Sequence, residues 1–292
     1  MRMMKANFAS IFYLLIAAAL LLCAALNDAK AVSGTVPYSF FLEHPYSSTG
    51  FSGNLEIAPV DGGGALIMNR FRADLNLGQN ILGIYAKFPF SGVTTGVFGK
   101  GDYDFGNIGL GTKYALLSSN NAALTFGFEA ILPTTGNSQG ALGARSYFRD
   151  FVYFTDDAYT FVPYGIFAIG GDVLAFQANL DFDIMTNARN ADESPFDAGG
   201  ESAELIIKYG AAASVTPRFN LPFSTSFLLE LLCASSTTFD NNVTGVYVTP
   251  GIRFGGIKYS FGAGVQVPFG SDEITDFANI DFLMDMKIRF GG

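Results

Sequence analysis

Arg70, Arg72 and Asp74 stand at alternate positions of "MNRFRADLNL". Lys87, Lys113, Glu129, Asp181, Asp183, Glu204 and Lys208 take equivalent alternate places in later segments. Glu230, Arg253, Lys258, Asp281, Asp285, Lys287 and Arg289 continue the pattern to the end of the chain. Side chains two apart along a strand leave from the same face, so this spacing would line one surface with cations and carboxylates. Such a surface can guide a solute, or its charges can pair and hold an interior together; the spacing allows both. With Glu56, the strand segments carry nine basic and nine acidic residues. A wall so balanced has little net field and suits neutral or zwitterionic cargo better than a strongly selective ion pore.

Other chemistries find little support. His44 is the single histidine and lies in an irregular stretch, so a Ser-His hydrolase site is not expected. The cysteines are Cys23 and Cys233; the first falls in the leader described below, which leaves no internal disulfide. "GDYDFGN" resembles the start of a calcium loop, but the twelfth position from Asp102 is Lys113, where such a loop needs Glu. There is no phosphate-binding glycine loop, no Cys-x-x-Cys pair and no basic patch for nucleic acid. The expectation is a protein that is not an enzyme, with no cofactor, no metal and no nucleic-acid partner.

The elements that must position the charges are strands. In "NIDFLMDMKIRF", Ile280, Phe282, Met284, Met286, Ile288 and Phe290 form one parity, and Asp281, Leu283, Asp285, Lys287 and Arg289 the other. "FQANLDFDI", "LTFGFEAIL" and "ELIIKYGAAASV" repeat the arrangement; eleven such segments are found, and one further strand-length segment brings the total to twelve. Their charges all lie on one parity. A charge facing lipid near the bilayer centre costs roughly 2–4 kcal/mol for Arg or Lys, which explains an outer face without any. The segments run about 9–13 residues, near the ~9–11 that a membrane strand needs. "TFVPYGIFAI", residues 160–169, is apolar on both parities and its faces are not assigned; Asn69 is a polar residue on an otherwise apolar face. Short connections (78–80, 118–121, 170–172, 216–221, 255–256) alternate with longer ones (91–106, 133–158, 186–203, 235–245, 270–276). That is the habit of an outer-membrane barrel with short periplasmic turns and long extracellular loops.

The expected architecture is therefore all-β: an antiparallel up-and-down transmembrane β-barrel of about 12 strands over residues 51–292, facing outer-membrane lipid, with both termini periplasmic. Arg2 and Lys5, the apolar run "IFYLLIAAALLLCAAL" and Ala29-Lys30-Ala31 read as a secretory signal peptide over residues 1–31. Residues 32–50 are expected to form a periplasmic segment or a short plug. In "SYFRDFVYF", Tyr147, Phe148, Phe151, Tyr153 and Phe154 cluster in the longest loop, where they could fold over the mouth and capture solute. A strand extension, or a loop packed on the barrel wall, is the plainer reading. The long connections also hold an acidic surplus, read as a solvated outer rim that includes Arg149 and Asp150.

"GKGDYDFGNIGLGTKYAL", residues 99–116, resembles the G-x-G-D…G-x-K-Y segment of an outer-membrane transporter family associated with the meta-pathway of phenol degradation. "EAILPTTG", residues 129–136, resembles that family's following Leu-Pro-Thr-Gly strand end, with Thr134-Thr135 in place of one Thr. The resemblance covers about 40 residues and implies a barrel passing hydrophobic or aromatic compounds. The last strand resembles the C-terminal signal read by the barrel assembly machinery, with Gly291 and Gly292 following its terminal Phe290. The expected function is an outer-membrane channel or transporter for small, hydrophobic or aromatic solutes. The alternative is a structural or adhesive barrel with a blocked lumen and active loops.

Overall fold

The computed structural model describes residues 39–60, 64–78, 81–94, 101–119, 121–136, 144, 148–156, 158–187, 203–219, 223–236, 244–256, 258–270 and 280–290. The proposed signal peptide, Tyr147, most of the acidic loop residues and the side chain of Glu204 lie outside the described residues.

Thirteen strands follow one another: β1 (Gly50–Pro59), β2 (Ala65–Gly78), β3 (Leu82–Val93), β4 (Asp102–Phe105), β5 (Ile108–Ser118), β6 (Ala122–Leu132), β7 (Ala158–Gly170), β8 (Leu174–Asn187), β9 (Ala203–Val215), β10 (Ser224–Ser236), β11 (Thr244–Gly255), β12 (Tyr259–Gly270) and β13 (Asp281–Arg289). Sequential strands pair antiparallel. The sheet closes where β1 meets β13, from Gly50 opposite Arg289 to Ile57 opposite Phe282. Both β4 and β5 pair with β3, on successive stretches of it, so they are two parts of one stave. The result is a closed barrel of 12 staves, the expected number. An even count follows from antiparallel closure, because the first and last staves must also run in opposite directions.

The outer parity is as the alternation predicts. Phe126, Leu180, Leu229, Phe282 and Met286 are all exposed on the outside. On β7, which carries the segment that was apolar on both sides, Tyr159, Phe161 and Phe167 face outward, while Val162, Tyr164, Ile166 and Ala168 are buried inward. Both faces are apolar because the interior at this stave is packed rather than wet. Asn69 is answered on the outside, where its amide donates 2.7 Å to the Tyr103 hydroxyl.

The interior differs from an aqueous tube. At the end with the long connections the inner wall is apolar: Leu66, Met68, Ile131, Met185, Ile206 and Tyr247 are each 2% exposed or less. Phe148, Phe151, Val152, Tyr153 and Phe154 from the β6–β7 connection pack on that wall and form one core with it. The break between β4 and β5 makes this docking possible. Asn107 sits in the break; its amide donates to the carbonyls of Val152 (3.0 Å) and Thr155 (2.6 Å), and its backbone N–H to Tyr153 (2.6 Å). At the opposite end residues 39–49 run inside the barrel before β1 begins: the Pro45 carbonyl accepts from Thr125 on β6, and Tyr46 donates to the Ser119 carbonyl at the β5–β6 turn.

The outer face sets a clear expectation. Leu229 is 55% exposed midway along β10, so Leu229→Arg should lower unfolding stability in lipid vesicles by about 2–4 kcal/mol. Denaturant titration reads this directly, and a neutral result would mean that this face does not meet hydrocarbon.

Candidate functional site in the barrel lumen

The inward charges meet the two inserted segments in three connected groups. Toward the long-connection end, Arg70 on β2 pairs with Asp150 of the inserted loop at 2.7 Å and with Glu56 on β1 at 3.4 Å. Arg149 reaches across to Glu56, and its own Nε holds Asp150 at 2.8 Å. Arg149 and Asp150, expected on the solvated rim, are therefore buried inside the barrel. The reason is local: the aromatic residues flanking them draw the loop onto the apolar wall, and Glu56, fully buried, needs cationic partners there.

The second group is a cradle around Glu43, a residue of the N-terminal segment. Arg72 binds both carboxylate oxygens of Glu43, one through Nη1 and the other through Nη2 at 2.8 Å. The same guanidinium grips Asp74 through Nε and Nη2 and lies 3.9 Å from the ring centre of Tyr85. Lys113 donates 3.0 Å to Glu43 and 2.9 Å to the His44 carbonyl. Lys87 stands 3.9 Å from Glu43 and donates 2.7 Å to Glu129, which also accepts from the hydroxyls of Tyr85 (3.0 Å) and Tyr153 (2.8 Å).

Glycine makes room for this. A Cβ at Gly111 would fall 2.1 Å from Tyr85 Cζ, and one at Gly127 2.1 Å from Tyr164 Cζ. Both tyrosines lie flat across bare backbone on the adjacent stave, a close approach only glycine permits. Thus "GLGTKY" supplies a platform at Gly111 for Tyr85 and a cation at Lys113 for Glu43.

The third group is on the opposite wall. Glu230 on β10 accepts three successive backbone N–H groups, from Phe40 (2.8 Å), Phe41 (3.0 Å) and Leu42 (2.8 Å). Nearby, Arg253 donates to Asp285 at 2.7 Å, and farther round Lys208 pairs with Asp183 at 2.6 Å. The N-terminal segment is thus fixed on both sides of the lumen, by its backbone on β10 and by the Glu43 side chain on β2 and β5. The two inserts touch at Phe41, whose ring lies 4.8 Å from the Arg70 guanidinium and 4.0 Å from that of Arg149.

The charged residues expected to line the lumen whose side chains are described thus point inward, with one difference. Lys258 is exposed in the β11–β12 turn, outside the tube, because β12 starts one residue later at Tyr259. Arg70, Arg72, Asp74, Lys87, Lys113 and Glu129 border the remaining cavity of about 190 Å³, as do Asp181, Asp183, Lys208, Asp285, Lys287 and Arg289. Glu230, Arg253 and Asp281 are buried in the inner wall without bordering it. Of the aromatic cluster, Phe148, Phe151, Tyr153 and Phe154 are buried against the inner wall, the plainer of the readings the sequence allowed. Glu43 was missed from the sequence. Its signal is a lone carboxylate inside the apolar stretch "FFLEHPY".

Fold and lumen together define a membrane β-barrel of the outer-membrane type with an occupied interior. No family model and no curated relative matches the sequence. Among solved structures, the chain is similar to the COG4313 outer membrane channel from Pseudomonas putida F1, at 13% identity over 87% of this chain and 100% of that one, with a TM-score of 0.54. It is also similar to the β domain of the Bordetella autotransporter BrkA, at 9% identity over 84% and 100%, with a TM-score of 0.50. At these identities the likeness is one of fold.

Burial pushes the Glu43 carboxyl up, but Arg72, Lys113 and Lys87 outweigh it and hold the group well below the usual carboxylate range. A carboxyl depressed in the folded state contributes fully above its unfolded value of ~4.3 and is lost only as pH falls through the lower folded value. The Glu43 carboxyl should therefore stay ionised from pH 8 to pH 5, read as an unchanged side-chain 13C shift across that range. Glu230→Ala, which removes the acceptor of the Phe40, Phe41 and Leu42 amides, should cut their hydrogen-exchange protection by about tenfold or more, since one charged hydrogen bond contributes roughly 1.5–3 kcal/mol.

Proposed function

We propose that the chain is an outer-membrane channel for small solutes, with its termini in the periplasm, and that the arrangement described above is its closed state. The observation that carries this reading is what fills the tube. Eight staves make a barrel that side chains alone can fill, and sixteen leave an open channel. Here, with 12, the filling comes from two chain segments, residues 39–49 and 148–156, inserted from opposite ends. Both are held by hydrogen bonds, ion pairs and packing, contacts that can be exchanged without unfolding a stave.

The solutes proposed are hydrophobic or aromatic. Withdrawal of the loop would uncover Leu66, Met68, Ile131, Met185 and Ile206, an apolar ring at the mouth, and would free Phe148, Phe151, Tyr153 and Phe154 to meet a solute. Tyr147 belongs to the same sequence cluster. Delivery to the membrane through recognition of the last strand by the barrel assembly machinery accords with the alternation of β13. A second reading is a structural or adhesive barrel that stays blocked. The density of buried ion pairs favours it, since pairs such as Arg149–Glu56 also serve a permanent core.

Planar-bilayer conductance and liposome swelling separate the two. The wild-type barrel should conduct weakly. Arg149→Ala, which unlatches the loop from Glu56, combined with Glu230→Ala, should raise conductance severalfold and admit phenyl glucoside faster than glucose. If that double variant, still folded by its heat-modifiable mobility on gels, neither conducts nor swells, the channel reading fails and the blocked barrel stands.

A further inference from the structure

The N-terminal segment offers the barrel a ring and a carboxylate two residues apart, and the barrel meets each with a cation on one strand. Phe41 lies against Arg70 and Glu43 is clasped by Arg72; Arg70 and Arg72 are themselves two apart on the inner face of β2. We propose that Phe41 and Glu43 occupy, from within the chain, a binding site for an aromatic carboxylate solute, and that such a solute enters by displacing them. This rests on the channel reading and adds the chemical class of what passes.

Charge balance argues for a ligand at this place. Without Glu43, Arg72 would still hold Asp74, and Lys87 would still hold Glu129. Lys113 would lose both of its described partners, because Glu43 is its carboxylate partner among the described residues and the carbonyl it also donates to belongs to His44 on the same segment. A buried cation that loses its counter-charge is strongly disfavoured. The open site must therefore take up another anion as the segment leaves. A carboxylate repeats the two-oxygen contact to the Arg72 fork, a geometry that favours planar oxyanions over a point charge such as chloride. The guanidinium of Arg70, which the Phe41 ring now covers, favours an attached ring over an aliphatic chain.

Self-occupancy explains why such a site can coexist with a closed pore. A tethered competitor acts at an effective concentration in the millimolar range, so a solute binds only weakly until the tether is outcompeted, and its arrival is what frees the lumen.

The test uses the full mature barrel in detergent, with Glu43→Gln as the principal variant. Calorimetric titration with 3-phenylpropionate, its neutral amide and propionate separates carboxylate from ring. The expected result is that Glu43→Gln binds 3-phenylpropionate about tenfold or more tightly than wild type, because the competing carboxylate is gone. The amide and propionate should remain weak in both proteins. Adding Lys113→Gln to that variant should abolish the gain. In wild type, 3-phenylpropionate at high concentration should lower the exchange protection of the Phe40–Leu42 amides, whereas the amide should not. Equal binding of acid and amide, or no gain from Glu43→Gln, overturns the proposal. Conductance of the same samples keeps the two levels apart. A barrel that conducts but shows no acid preference defeats this inference alone, whereas absence of conductance and swelling in wild type and in the variants defeats the channel reading beneath it.

Discussion

The pairing of β1 with β13 is the contact on which the remaining structure depends. In hydrocarbon an open sheet edge leaves N–H and C=O groups unpaired with no water to satisfy them. Eight residue pairs, Gly50–Arg289 to Ile57–Phe282, remove both edges at once. Closure makes an inside and an outside, and only then does the alternation of each strand acquire two different solvents. Phe282 and Met286 meet lipid while Asp281 and Asp285 turn inward, not from any preference for each other but because the outside excludes charge.

Closure at 12 staves also sets a second problem. The tube is too wide for inward side chains to meet across it, and the charges driven inward need partners. The two inserts answer both needs together. Glu43 completes Arg72 and Lys113; Arg149 and Asp150 complete Glu56 and Arg70. The wall brings incomplete ion pairs, and the inserts bring the missing members. The same contacts that seat each insert make its departure costly unless something else supplies the charge. A carboxylate solute can do that at Arg72 and Lys113, which neutral solutes cannot.

The barrel was legible in the sequence because its signal is repeated in every stave but β7 and enforced by lipid. Leu180 against Asp181, or Met286 against Lys287, leaves no room for a different assignment once the chain closes. The filling was not legible for the opposite reason. Glu43 finds Lys113 seventy residues away in sequence, and Arg149 finds Glu56 at ninety-three, through a geometry that exists only after closure. The apolar inner positions Met68, Ile131, Met185 and Ile206 were within reach. They lie on the polar parity near the long-connection end of their strands, and read as a set they mark a wall that must be covered. Attending only to the charges on that parity hid them.

Asn107 shows how the two levels are joined. It stands between β4, which lies in a stretch the sequence placed in a long connection, and β5, and the break between them leaves backbone groups free for docking. Its side chain donates to two loop carbonyls and accepts from the N–H groups of Thr134 and Thr135, both at 2.9 Å. One buried side-chain amide, fully used, thus ties the start of the long connection at β6 to its inserted tip and to the stave that carries Lys113. The motif around it, glycines for the tyrosine platform and lysine for the cradle, lies on the same stave. A movement of the loop would therefore bear on the stave that holds Glu43. The fold thus gives the two inserts a shared wall.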